Sequence, residues 1–157
     1  MSNAITIIGL ISDTHGLLRK SALDALGGVD MILHAGDIDN ILVIEELELI
    51  APVHAVRGNM DFKPGVAELP NYLKIKAGPA NIGVVHDRHR LANHPSAEGI
   101  SVIVHGHTHK AAIEETGGIL YVNPGSAGPK RSNRQASVGI LNVRNGKIIP
   151  TIVPLAD

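Results

Sequence analysis

At 157 residues the chain is long enough to bury a core without cross-links, and with no cysteine it offers no disulfide, iron–sulfur or thiolate zinc chemistry. A formal charge of −1, one Phe, two Tyr and no Trp argue against a polyanion-binding field and against a stacking platform for single-stranded nucleic acid. The beginning of the chain lacks a basic segment leading into an apolar stretch, and its first apolar run is too short to span a bilayer. The expectation is one α/β domain over residues 1–157, cytoplasmic and with no membrane contact.

In chain order, Ala4–Ile11 is a β-branched run of the kind buried on both faces of a sheet. Leu17–Leu26 has apolar residues three and four apart and ends at Gly27-Gly28, which predicts a helix. Met31–Leu33 reads as a second strand. Ile41–Ile50 reads as a second helix, with Asn40 as its N-cap and Pro52 beyond its end, and Val53–Val56 as a third strand. Strand–helix alternation implies right-handed crossovers and a parallel sheet. The second half predicts short strands at Tyr72–Lys76, Asn81–Val85, Ser101–His105, Ala112–Glu115, Ile119–Val122, Ser137–Val143 and Lys147–Val153. Hairpin signals at 115–118 and Asn145-Gly146 suggest that this half is mostly antiparallel and forms a second sheet packed on the first.

Metal-type side chains follow these apolar runs. They are Asp13-Thr14-His15, Gly36-Asp37, Gly58-Asn59, His86 and Gly106-His107-Thr108-His109. In a parallel sheet, ligands gather at the carboxyl ends of strands, so Asp13, Asp37 and Asn59 should share one rim. Taken singly, each signal has an ordinary reading. Asp13 could cap a helix, Gly-Asp and Gly-Asn are common turns, and a histidine at a strand end is more often structural than ligating. Gly-His-x-His is the sharpest element. Together the seven groups exceed the need of one zinc ion and suit two divalent cations sharing a carboxylate, a tool for attacking phosphate esters. Mixed nitrogen and oxygen ligation fits Mn²⁺, Fe²⁺, Co²⁺, Ni²⁺ or Zn²⁺ and disfavours Ca²⁺, with Mn²⁺ the leading expectation. Arg57 and Arg88 flank the motifs and read equally as phosphate contacts or as surface ion-pair partners. Asp39 and Asp61 are candidates to accept the second nitrogen of ligating histidines. Asn123–Ser126 reads as turn chemistry supporting the metal-bearing loop.

The series Asp-x-His, Gly-Asp, Gly-Asn, His, Gly-His-x-His resembles that of calcineurin-like metallophosphoesterases. The segments Ile11–Gly16, His34–Asp37, Val56–Asn59, His105–Lys110 and Val122–Ser126 are similar to those of the small bacterial and archaeal phosphodiesterase subgroup, itself similar to a eukaryotic retromer scaffold subunit. The resemblance covers about residues 5–140. It implies a four-layer α/β/β/α sandwich of two mixed sheets flanked by helices. It implies that Asp13, His15, Asp37 and His109 hold one metal, and that Asp37, Asn59, His86 and His107 hold the other. A hydroxide bridging the metals would attack phosphorus, with Asp37, Asn59 and His107 as catalytic residues. The substrate would be a phosphate-ester small molecule or nucleotide-like compound, phosphodiesters before monoesters, and relatives of this kind are often homo-oligomers.

Two departures stand out. Met60 occupies a position that is His or Cys in many relatives, and a thioether can neither stabilise the transition state nor protonate a leaving group. Asp87 follows His86 where relatives usually have Gly, and the stretch from there to Ser101 is short for the family. A rival reading is a catalytically weak or inactive scaffold on the same fold; the complete set of seven ligands favours an enzyme.

Overall fold

The β-branched runs form strands because their side chains fill both sides of a pleated surface. The structure, a computed structural model, describes residues 5–130 and 133–156. Among these, ten strands and two α-helices appear: β1 (Thr6–Ile11), α1 (Lys20–Ala25), β2 (Met31–His34), α2 (Ile41–Glu48), β3 (Val53–Ala55), β4 (Tyr72–Ala77), β5 (Ala80–Val85), β6 (Val102–Val104), β7 (Ala112–Thr116), β8 (Ile119–Asn123), β9 (Ser137–Arg144) and β10 (Lys147–Pro154). Every predicted strand forms. The expected start at Ala4 lies outside the described residues.

The strands make two five-stranded mixed sheets, ordered β10-β9-β1-β2-β3 and β4-β5-β6-β8-β7. The second half therefore does not build one sheet of its own. β9 pairs antiparallel with β1, and β10 with β9, so both complete the first sheet. In the second sheet β5–β6 and β6–β8 are parallel, and only the edge pairs β4–β5 and β7–β8 are antiparallel. Alternation along a strand says which faces it buries but nothing about which distant strand it will pair with. Both expected hairpins close, with Gly117-Gly118 and Asn145-Gly146 all at positive φ, as a type I′ turn requires.

Ile8, Leu10 and Leu33 of the first sheet face Ile82, Val84, Val102 and Val104 of the second, forming the core between sheets. The other face of the first sheet is covered by α1 and α2 through Ala22, Leu26, Val43, Ile44 and Leu47. Asn40 caps α2 as predicted, accepting from Leu42 N at 2.9 Å. The first helix is shorter than expected because residues 14–17 form a turn, with Leu17 N donating to Thr14 O, and the extended Arg19 is its uncapped start. The outer face of the second sheet, with Val85, Ile100, Ile103 and Ile119, carries only two 3₁₀ turns, Arg88–Arg90 and Pro95–Glu98, among the described residues. The expected fourth layer of α-helix is thus absent there, because the segment joining β5 to β6 carries no helical apolar period and folds into those turns.

Candidate metal centre

The parallel strands β1, β2, β3, β5 and β6 all end at the same rim, and each is followed directly by a chemistry-bearing loop. The Oδ and Nε2 atoms of Asp13, His15, Asp37 and His109 include a set lying within 4.8 Å of one another. His109 Nε2 is 3.2 Å from Asp13 Oδ1, and His15 Nε2 is 4.0 Å from Asp13 Oδ1 and 3.8 Å from Asp37 Oδ2. Alongside, His86 Nε2 lies 3.3 Å from Asp37 Oδ2 and 2.9 Å from Asn59 Oδ1. The His107 ring stands edge-on to His86, 5.2 Å between centroids. All seven sequence-predicted residues are therefore brought to one end of the molecule.

Two observations fit this donor set to cations. Asp13 Oδ1 and His15 Nε2 are buried and have no hydrogen-bond partner, an arrangement that is costly for a carboxylate unless a cation meets it. His86 donates from Nδ1 to Ala35 O at 2.8 Å, which turns the lone pair of its neutral Nε2 toward Asp37 Oδ2 and Asn59 Oδ1. Three acceptors then point at each other. Either a proton on Nε2 or a metal resolves the conflict.

The charges follow the same logic. Burial opposes ionisation of Asp13, but the His109 ring close beside it, the hydrogen bond from Ser12 and the field of His86 hold its carboxyl below the ordinary value. Burial likewise opposes ionisation of Asp37, and the adjacent His86 with the hydrogen bond from Met60 N outweigh it. Burial would lower His86, yet Asp37 and Asp13 raise it. Beneath the site His34 is fully buried and pushed down to about 3, chiefly by burial. Gly36 N donates to its Nδ1 at 3.1 Å, so its Nε2 carries the proton and donates to Thr14 Oγ1 at 3.0 Å. Thr14 in turn donates to Ile38 O, tying the loops after β1 and β2 together.

The backbone at the site is strained. Asp13, His15, Asp37, His107 and His109 all adopt positive φ, between 46° and 74°, a region that non-glycine residues seldom enter. At Gly58 an added Cβ would collide with Asp37 Oδ1 and N, so only glycine lets these two loops touch. Asn123 donates to Gly106 O at 3.2 Å and to Thr108 Oγ1 at 3.0 Å, and accepts from Gly125 N, so it does brace the Gly-His-x-His loop.

Some expectations change. Asp13 caps no helix. Asp39 and Asp61 do not accept from the site histidines: Asp39 pairs with Lys63 at 3.1 Å, while Asp61 is fully buried and takes only backbone amides. Arg88 lies over the Tyr121 ring at 4.0 Å and pairs with Glu114, away from the site. Arg57 and Arg90 instead line a cleft of about 950 Å³ that opens beside His86, Asn59 and His107. The sequence reading missed Arg90 and His34. His34 had a signal, since it ends a strand two residues before Gly36-Asp37.

The profile of the calcineurin-like phosphoesterase superfamily domain matches residues 7–146. A probable metallophosphoesterase of Methanothermobacter thermautotrophicus is 33% identical over 159 residues, covering 94% of this chain and 91% of its own. Phosphodiesterase YfcE of Escherichia coli is 30% identical, covering 83% of this chain and 84% of its own. The solved structure of wild-type Vps29 complexed with zinc, from Entamoeba histolytica, superposes with a TM-score of 0.70 at 26% identity, covering 95% of this chain and 99% of that one. The protein is a member of the calcineurin-like phosphoesterase superfamily, similar to its small phosphodiesterases and, in structure, to Vps29.

Proposed function

We propose that the protein is a binuclear metal-dependent phosphoesterase that cleaves phosphodiesters in preference to monoesters, as a single domain over residues 1–157. The observation that carries this reading is the convergence of Asp13, His15, Asp37 and His109 with two buried donor atoms left unpartnered. In this reading Asp13, His15, Asp37 and His109 hold one ion, and Asp37, Asn59, His86 and His107 the other. Mn²⁺ is the first candidate, with Fe²⁺, Co²⁺, Ni²⁺ and Zn²⁺ also compatible with the donors. Two such ions would supply an activated water near neutral pH and neutralise charge on the phosphate.

The chain's own residues do the rest. Met60 N holds Asp37 Oδ1 at 2.9 Å, leaving Oδ2 to face His15 and His86. Ala35 O fixes the His86 ring so that Nε2 faces the site. Arg57 and Arg90 border the cleft on the side open to substrate and offer positive charge to a phosphate ester or nucleotide-like compound. The Met60 side chain, half exposed, has no proton to give, so a good leaving group is needed. Among the described residues no helix is long and apolar enough to cross a membrane. A cytoplasmic setting and a homo-oligomeric state belong to the same proposal.

Met60 also favours a second reading, a protein-interaction scaffold with weak or no catalysis. Hydrolysis of bis(p-nitrophenyl) phosphate by metal-stripped protein reloaded with Mn²⁺, with Asp37→Ala alongside, separates the two. The enzyme reading expects turnover that requires metal and disappears in the variant. Stoichiometric metal uptake without turnover would leave the scaffold.

A further inference from the structure

Asp61 is a fully buried carboxylate, and among the described residues no Lys, Arg or His approaches it within ion-pair distance. Four backbone amides meet its charge instead. Its Oδ2 accepts from Asp37 N at 3.0 Å and Gly58 N at 2.8 Å, and its Oδ1 from Ile38 N and Asp39 N, both at 2.8 Å. Three of these donors are consecutive, and Gly36, Asp37 and Asp39 around them have φ of 101°, 57° and 75°. Successive amides turned inward by left-handed residues form a concave nest for an anion. Here the chain supplies that anion itself.

We infer that Asp61 is the positioning residue that sets the orientation of Asp37, by holding the loop after β2 in its left-handed course against the loop after β3. The inference rests on the reading of Asp37 as a metal-bridging carboxylate. Asp37 is tied to the 58–61 segment from both ends: its amide donates to Asp61, and its Oδ1 accepts from Met60 N at 2.9 Å. These two bonds leave Oδ2 aimed at His86 and His15, at 3.3 Å and 3.8 Å. Arg57 Nε, donating to Asp61 O at 3.0 Å, fixes the segment from behind. Without the Asp61 carboxylate these four amides lose their acceptor; the bonds from His15 N to Asp37 O and from Gly16 N to Ile38 O engage only the carbonyls of the segment.

The test is Asp61→Asn, which keeps the shape but turns an NH₂ group toward amides that need an acceptor. Mn²⁺ binding by calorimetry and kinetics on bis(p-nitrophenyl) phosphate are measured at a temperature where circular dichroism shows the variant folded. The expected result is Mn²⁺ binding and kcat each reduced at least tenfold, with KM within twofold. Affinity and kcat within twofold of the wild type, with only the melting temperature lowered, would overturn the inference and leave Asp61 a purely structural residue. Should the variant not fold, amide exchange in metal-free wild-type protein decides: the amides of Asp37, Ile38, Asp39 and Gly58 should be protected at least a hundredfold, and free exchange would overturn the inference. Wild-type protein that neither takes up Mn²⁺ nor turns over would instead defeat the functional reading, a result distinct from either.

Discussion

His109 Nε2 lies 3.2 Å from Asp13 Oδ1, joining the loop after β6 in one sheet to the loop after β1 in the other. The contact spans the seam of the sandwich, so the candidate centre exists only when both sheets are assembled. The Asp13 oxygen is buried yet accepts no hydrogen bond in good geometry. Binding a cation there should therefore stabilise the fold as well as equip it. At free Mn²⁺ about a hundred times its dissociation constant, linkage gives a gain of about 2.7 kcal/mol. Asp13→Asn should lose most of that gain. Thermal unfolding with and without Mn²⁺ measures it, and an equal metal-induced shift in both proteins would exclude Asp13 as a ligand.

Metal-free protein should lose stability as pH falls below about 6.5. His34 is held neutral, with its folded value lowered to about 3 against 6.5 unfolded, and His105 is lowered to about 4, mainly by burial. For both, the unfolded chain takes up protons first, so stability drains away from 6.5 down toward those folded values. His86 has the opposite sign: its raised value gives a contribution already complete below 6.5, so it cannot offset the loss. Asp13 and Asp37, lowered from 3.8, keep their contribution until below that pH. At pH 5.5 each of the two histidines costs about 1.4 kcal/mol. Denaturant midpoints in chelator at pH 6.5 and 5.5, a range in which His86 adds little, should show this fall, and His34→Gln should flatten it.

Asn123→Ala should cost about 1–3 kcal/mol, because it strips Gly106 O, Thr108 Oγ1 and Gly125 N of a shared partner in the interior. The loop it braces carries His107 and His109, both at positive φ, so kcat should fall along with stability. Denaturant melts and kinetics on the same samples test both effects; unaltered kcat would show that the loop keeps its course without this amide.

Met60→His places a proton donor where the chain has a thioether. The position is half exposed, so the larger ring costs little in packing. General acid help contributes about 10²–10⁴-fold when well placed, so hydrolysis of an alkyl phosphate ester, whose alkoxide leaves poorly, should rise by at least about tenfold, while bis(p-nitrophenyl) phosphate, whose p-nitrophenolate leaves without a proton, should change little. No preferential gain on the alkyl ester would remove Met60 as the reason a good leaving group is needed.

Much of the architecture was legible locally. A β-branched run announced β1 and short segments between turns the other strands, Asn40 announced the start of α2, and Asn145-Gly146 announced the β9–β10 turn. The partner of β9 was not legible, because pairing with β1 depends on which edge is open once the first three strands have assembled. The cover of the second sheet was equally hidden, since residues 87–100 carry no helical period and settle into 3₁₀ turns. Asp61 was noticed as a supporting carboxylate, but its true partners are backbone amides, which no side-chain pattern reveals.

The sequence by itself determined which donor groups are present and that each follows a strand, because ligand chemistry resides in the side chain and strand ends are marked by local composition. Only the tertiary structure decided that Asp13, His15, Asp37 and His109 meet, and that five of the seven candidate ligands stand on left-handed backbone. The physical reason is energetic. A left-handed aspartate or histidine costs about 1–3 kcal/mol, and it persists only where distant groups over-determine it. Here those groups are Asp61, Asn123 and Gly58, each brought from another part of the chain.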